Sequence, residues 1–177
     1  MEFKYYLKED FKRLGIYSVY GGARRFVTSA NCRQLVLFRI GQYLRSKRYW
    51  WIKPIYLIVL IWYKHLENIT NIYMNFKTRV DAGMLIAHGN VVINDNSVIG
   101  KNFTIYQFST LGTSKGINGK APIVGDNVTI WAGVSVIGDV HLGNNVEIGA
   151  NSVVVKNVPD NVVVVGIPAK ILKQKIM

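Results

Sequence analysis

Residues 98–158 read VIGKNFTIYQFSTLGTSKGINGKAPIVGDNVTIWAGVSVIGDVHLGNNVEIGANSVVVKNV, and they read in sixes. Ile99, Ile105, Leu111, then Val124, Ile130, Val136, Leu142, Ile148 and Val154 all fall at one phase. Four residues after each except Leu111 comes a second inward or corner position, filled by Phe103, Ser109, Val128, Val134, Val140, Val146, Ser152 and Val158. Gly100, Gly125, Gly143 and Gly149, with Asn102, Asn127, Asn145 and Asn151, recur between them; both residue types tolerate the left-handed backbone of a tight corner. A hexapeptide period of this kind predicts a mainly β protein, a parallel β-helix. One coil cannot bury its own faces, so stability comes from stacking several.

The period spreads outward to about residue 75, so a β-helical domain is expected over 75–177. In its first coils Leu85, Val92 and Val98 are the expected inward positions. The phase fails twice. At HGN, residues 88–90, one piece bulges from the coil and carries His88, one of three histidines. Between Leu111 and Pro122 the stretch GTSKGINGKA forms an excursion from the scaffold, the kind of place where function resides.

The segment 1–74 is chemically different. From Met1 to Lys77 there are 14 Lys and Arg against 4 Asp and Glu; from Thr78 onward there are 8 against 6. Tyr6, Leu7, Phe11 and Leu14 are spaced as on a helix, Gly21-Gly22 reads as a breaker, and CRQLVLFRIGQYLRS puts Leu35, Phe38 and Tyr43 near one face with Arg33, Arg39 and Arg45 elsewhere. In YWWIKPIYLIVLIWYKHL, Pro54 suits a first helical turn, and the uncharged run between Lys53 and Lys64 is far shorter than the roughly 20 residues that span a bilayer. Its Trp and Tyr residues with basic neighbours fit either an anionic membrane surface or packing against the β-helix or a neighbouring subunit. The start, MEFKYYLKED, lacks the unbroken apolar core of a signal peptide, and the single Cys32 allows no internal disulfide. The expected location is cytoplasmic, peripheral at the inner face of the cell membrane. No nucleic-acid motif accompanies the charge, so no nucleic-acid partner is expected.

Five pieces carry a resemblance: AHGNVVIN, VIGKNFTIYQFSTLGT, PIVGDNVTIWAGVSVIG, IGANSVVVKNVPDN and GIPAKI. In this order they resemble the hexapeptide-repeat acyltransferases, within them the serine O-acetyltransferase branch and its polysaccharide-modifying relatives. The resemblance implies a left-handed β-helix, a homotrimer, and acetyl-CoA held between adjacent β-helices. It implies that His88 is the general base in a direct transfer from acetyl-CoA to a hydroxyl; an imidazole suits that role because its ordinary pKa lies near working pH. It matches Gly112, Thr113, Ala132, Ala150 and Lys170 to CoA-contacting positions. What orients His88 is left open between Asp95, the nearest downstream carboxylate, and a backbone carbonyl; Asp95 and His141 are also weaker candidates at the acceptor. No metal is expected, since His65 lies outside the repeat and a three-histidine zinc spacing is absent.

The departures from the serine enzymes are specific. The aspartate that orients their histidine falls here near Tyr73, the one before it is Ala87, and a second histidine, before a proline, is Ala121. Their long N-terminal helical domain and Ile-terminated tail also look absent. The expected acceptor is therefore a sugar hydroxyl, on a lipid-linked glycan, in bacterial surface polysaccharide assembly. The alternatives are a serine O-acetyltransferase of cysteine biosynthesis, a xenobiotic acetyltransferase, and a non-catalytic β-helix scaffold.

Overall fold

The structure is a computed structural model, and it describes residues 3–47, 49–114 and 119–175. Four helices come first: α1 (Phe3–Arg13), α2 (Val19–Thr28), α3 (Ala30–Arg45) and, after a short 3-10 turn at Trp50–Ile52, α4 (Lys53–Thr70). Ser18 and Ser29 cap α2 and α3, their hydroxyls accepting from the backbone N–H groups of Gly21 and Cys32. Pro54 sits in the first turn of α4, and Asn71, in the left-handed conformation, ends it. The expected break at Gly21-Gly22 is not there, because both residues lie inside α2. A side chain at Gly22 would press on the ring of Phe11, so the glycine serves close helix packing. The chain turns instead at Gly15, whose φ is +71°.

The solenoid is built three short strands to a coil. The first coil holds β1 (Ile72–Met74), β2 (Arg79–Val80) and β3 (Leu85–Ile86). The second holds β4 (Val91–Ile93), β5 (Val98–Ile99) and β6 (Thr104–Ile105), and the third β7 (Thr110–Gly112), β8 (Ile123–Val124) and β9 (Thr129–Ile130). The fourth holds β10 (Ser135–Ile137), β11 (His141–Leu142) and β12 (Glu147–Ile148), and the last β13 (Val153–Val154) and β14 (Val162–Gly166), with β15 (Ala169–Gln174) folded back on β14. Like strands stack in parallel to make three faces, in the orders β1-β4-β7-β10-β13, β11-β8-β5-β2 and β15-β14-β12-β9-β6-β3, where only β15 runs antiparallel. The fold is thus the expected mainly β parallel solenoid preceded by helices. Its first strand begins at Ile72, a few residues before the expected boundary, because Ile72–Met74 pair with Val91–Ile93.

Every aliphatic residue at the leading phase of the repeat, from Ile99 to Val154, is buried, and so is the second set from Phe103 to Val158. Burying one such side chain is worth about 1.5–3 kcal/mol. In the first two coils the expected phase is off by one. Ile86, Val91, Ile93 and Ile99 point inward, whereas Leu85 and Val98 are only partly covered and Val92 is exposed. Side chains alternate along a strand, so a slip of one residue exchanges the faces. The corner glycines also differ from expectation. Gly100, Gly125, Gly143 and Gly149 are not among the residues of positive φ; the asparagines take that conformation. A Cβ on Gly125 would lie 2.8 Å from the backbone of Gly143, so there glycine permits the coils to approach. Asn102, Asn127, Asn145 and Asn161 stack along one edge, each amide donating to the carbonyl oxygen of the next at 2.8–3.0 Å. Asn151 belongs to a different edge, beside Gly133.

The helices close the open end of the solenoid. Strands of the first coil have carbonyls with no coil below to accept from, and side chains of α3 and α4 meet them. Gln34 donates to Ile72 O at 2.7 Å, Tyr63 to Met74 O at 2.6 Å, Gln42 to Thr78 O at 2.8 Å, and Arg39 to Val80 O and Asp81 O at 2.8 and 2.7 Å. Arg39, expected away from the apolar face of Leu35, Phe38 and Tyr43, is fully buried. It is held by a two-pronged ion pair with Asp10, which in turn accepts from the N–H groups of Gly83 and Met84 at 2.8 Å. Capping repeats are what a solenoid requires at its ends.

Candidate active site

Ala87, His88, Gly89 and Asn90 form the corner between β3 and β4. Four residues connect Ile86 to Val91 there, whereas three connect Ile105 to Ser109, Ile130 to Val134 and Ile148 to Ser152, the equivalent corners above. The extra residue pushes the turn outward and leaves His88 exposed. The end of α4 fixes the turn from below. Asn90, with φ +61°, donates its N–H to Thr70 O at 3.0 Å, and Val91 donates to Asn71 O at 2.9 Å. A Cβ on Gly89 would lie 2.1 Å from Thr70 O, which is backbone and cannot swing away. Gly89→Ala is accordingly expected to cost about 1–3 kcal/mol in urea denaturation. A loss below about 0.5 kcal/mol would show that the corner yields.

A ladder of rings climbs from His88. Its imidazole lies 6.4 Å from the ring of Tyr106, which stacks on Trp131 at 4.6 Å. The Trp131 indole donates to Glu147 at 2.7 Å, and Lys175 pairs with the same carboxylate at 3.3 Å. The indole hydrogen bond, helped by Lys175 and opposed by partial burial, holds the Glu147 carboxyl below its ordinary value. Nothing in the hexapeptide pattern marks Tyr106 or Trp131; they were legible only as large residues at outward corner positions.

Of the expected CoA positions, Ala132 and Ala150 occupy the same column of corners as His88, and Lys170, paired with Val165 on β15, tops that edge. Gly112 ends β7 on the next edge, where Thr113 begins the excursion. Asp95 lies on that second edge too, exposed in the turn after β4. It makes no hydrogen bond or ion pair with His88 among the described residues, with all of β4 between them. His141 opens β11 on another face, also exposed, its N–H donating to Asn157. Tyr73 points outward from β1, and Ala87 lines a cleft of about 100 Å³ with Arg25, Ser29, Asn31 and Cys32. Burial pushes the Cys32 thiol up, against the lowering effect of Arg25 and Arg33. Ala121 is buried at the end of the excursion, next to the exposed pair of Lys120 with Asp139 at 2.7 Å. The expected flap over the CoA groove, Gly112 to Ala121, falls partly on residues 115–118, which lie outside the described residues.

Residues 121–156 match the family described as bacterial transferase hexapeptide (six repeats). A serine acetyltransferase of Staphylococcus aureus is 46% identical over 107 residues, 59% of this chain and 50% of the relative. The chain thus spans about half the length of the curated relatives it matches. Among solved structures, a Neisseria gonorrhoeae serine acetyltransferase superposes with a TM-score of 0.81 at 24% identity, covering 99% of this chain and 67% of that one. Its complex with serine gives 0.74 at 25% identity, covering 97% and 67%. The Brucella abortus serine acetyltransferase in complex with coenzyme A gives 0.76 at 23% identity, covering 98% and 67%.

These likenesses correct one expectation. The hexapeptide-transferase relatives at hand are serine acetyltransferases, so the expected polysaccharide acceptor is not upheld. That inference rested on the absence of three side chains, at Tyr73, Ala87 and Ala121, and a missing contact does not specify a sugar. The first superposition covers 99% of this chain, so α1 to α4 belong to the shared fold, and it covers 67% of that chain.

Proposed function

We propose that this hexapeptide transferase is an acetyl-CoA-dependent O-acetyltransferase acting on L-serine or a close hydroxyl relative, with His88 as general base. The observation that carries the reading is the corner itself: an exposed histidine on the one corner of its column, among the described residues, that has an additional residue, in a chain 46% identical over 107 residues to a serine acetyltransferase. In the reaction the acceptor hydroxyl oxygen bonds to the thioester carbonyl carbon as His88 takes its proton. The tetrahedral intermediate then collapses, the C–S bond breaks, and the proton passes to the departing CoA thiolate. A general base of this kind contributes about 10²–10⁴-fold to rate.

The distribution of candidate residues supports a homotrimer. His88, Ala132, Ala150 and Lys170 mark one edge of the solenoid, while Gly112, Thr113 and Asp95 mark the next, across the face of β1, β4, β7, β10 and β13. One chain does not bring the two edges together. Two chains side by side would, forming a groove for the pantetheine arm with Lys170 available to a phosphate. Small residues at Ala132 and Ala150 would let that arm run close to the corners.

The test is thiol release from acetyl-CoA by the full chain with and without L-serine, with the product identified by mass spectrometry. Serine-dependent release with formation of O-acetylserine is expected. Release that does not depend on serine, or none at all from a protein that binds CoA in calorimetry, would overturn the acceptor assignment.

A further inference from the structure

The helices leave one apolar face uncovered. In α4, Tyr63 and Leu66 turn into the core, and Tyr56 packs edge-on against Phe76 at 5.9 Å. On the opposite side Ile55, Leu57, Ile58, Ile61 and Trp62 are each more than half exposed. Ile55, Ile58 and Trp62 follow helical spacing and form a continuous stripe. The stripe continues at its N-terminal end into Tyr49, Trp50 and Trp51, also exposed, with Tyr49 stacked on Trp51 at 4.7 Å. Arg45, Lys47 and Lys53 line an open cleft beside these rings with Tyr49, Ile52 and Tyr56, and among the described residues no acidic one lines it.

We propose that this face docks on an anionic lipid bilayer, with α4 lying in the plane of the interface. No helix among the described residues is long and apolar enough to cross a membrane, so the contact is one of surface seating. Branched aliphatic side chains would enter the acyl boundary, Trp and Tyr would sit at headgroup depth, and the three cations would meet acidic headgroups. Charge separates this occupant from a second copy of the chain. Apposing two copies would set like charge against like, since the segment up to Lys77 carries 14 basic against 4 acidic residues. An acidic bilayer offers the complementary charge. The docking is independent of the proposed reaction.

The experiment is sedimentation of the full chain with phosphatidylcholine vesicles and with vesicles also containing phosphatidylglycerol, at low and high salt. Binding to the acidic vesicles is expected to exceed that to phosphatidylcholine by about tenfold or more and to fall with salt. Ile58→Ser with Trp62→Ser is expected to weaken it by more than about tenfold, since both side chains would lose their apolar burial. Arg45→Gln, Lys47→Gln and Lys53→Gln together are expected to remove the preference for phosphatidylglycerol. Failure to pellet with acidic vesicles would overturn the proposal. So would pelleting that both variants leave unchanged. A lipid-free oligomer that dissociates on Ile58→Ser with Trp62→Ser, read by sedimentation equilibrium, would assign the face to a second copy instead.

Discussion

Arg39→Ala is expected to cost about 3–5 kcal/mol, the range for breaking a buried ion pair from one side. Both partners are fully buried, and the Arg39 Nε to Asp10 Oδ2 distance is 2.7 Å. Removing the guanidinium leaves the Asp10 carboxylate without its counter-charge and strips donors from Val80 O and Asp81 O. An isolated buried pair is often replaceable by apolar residues at little cost. This one is not isolated, because Asp10 also accepts from Gly83 and Met84. The double variant Arg39→Met with Asp10→Leu would orphan four backbone groups, each worth about 1–3 kcal/mol when buried and unpaired. It is therefore expected to remain well below wild type in urea denaturation. Recovery to wild-type stability would mean that the ion pair is dispensable and the backbone groups find other partners. Gly83 and Met84 lead directly into β3 and the His88 corner, so loosening this clamp is also expected to lower catalytic rate.

That network shows where sequence reading stops. The solenoid was legible because its core repeats: Ile105, Ile130 and Ile148 stack in register, and each announces the next. The His88 corner was legible because an added residue disturbs the period. Arg39, Gln34 and Gln42 are different. Each satisfies a carbonyl more than thirty positions away, on strands whose unpaired edge exists only once the solenoid has formed. A charged side chain among aliphatic ones in CRQLVLFRIGQYLRS reads as the solvated face of a helix, and nothing local contradicts it. The inverted phase of Leu85, Val92 and Val98 has a local cause. Each has an aliphatic neighbour that takes the inward place, Ile86, Ile93 and Ile99, so the residue types alone do not say which of the two faces the core. The candidate acceptor residues were the least legible, because they were inferred from what is missing at Tyr73, Ala87 and Ala121, and absence has no geometry.

His88→Ala is expected to lower kcat by about 10²–10⁴-fold, as loss of a general base does. The side chain is exposed and makes no hydrogen bond among the described residues, so its removal opens no cavity and orphans no partner. Stability should stay within about 0.5 kcal/mol of wild type, as for other surface substitutions. That separation between activity and stability is what distinguishes a catalytic histidine from a structural one at a bulge. Affinity for CoA, measured by calorimetry, should be retained, because the positions matched to the pantetheine arm are Ala132 and Ala150 in the corners above. Gly89→Ala provides the contrast: it moves the backbone that carries the imidazole, and should reduce stability and rate together. A His88→Ala protein that transfers acetyl at the wild-type rate would exclude His88 as the base. Equal losses of CoA affinity and rate would instead make it a cofactor-binding residue. No carboxylate contacts the imidazole among the described residues, so the ring contact to Tyr106 is the feature left to fix its orientation. Tyr106→Ala is therefore expected to lower kcat by a smaller factor than His88→Ala, with CoA affinity kept, since it would loosen the base without removing it.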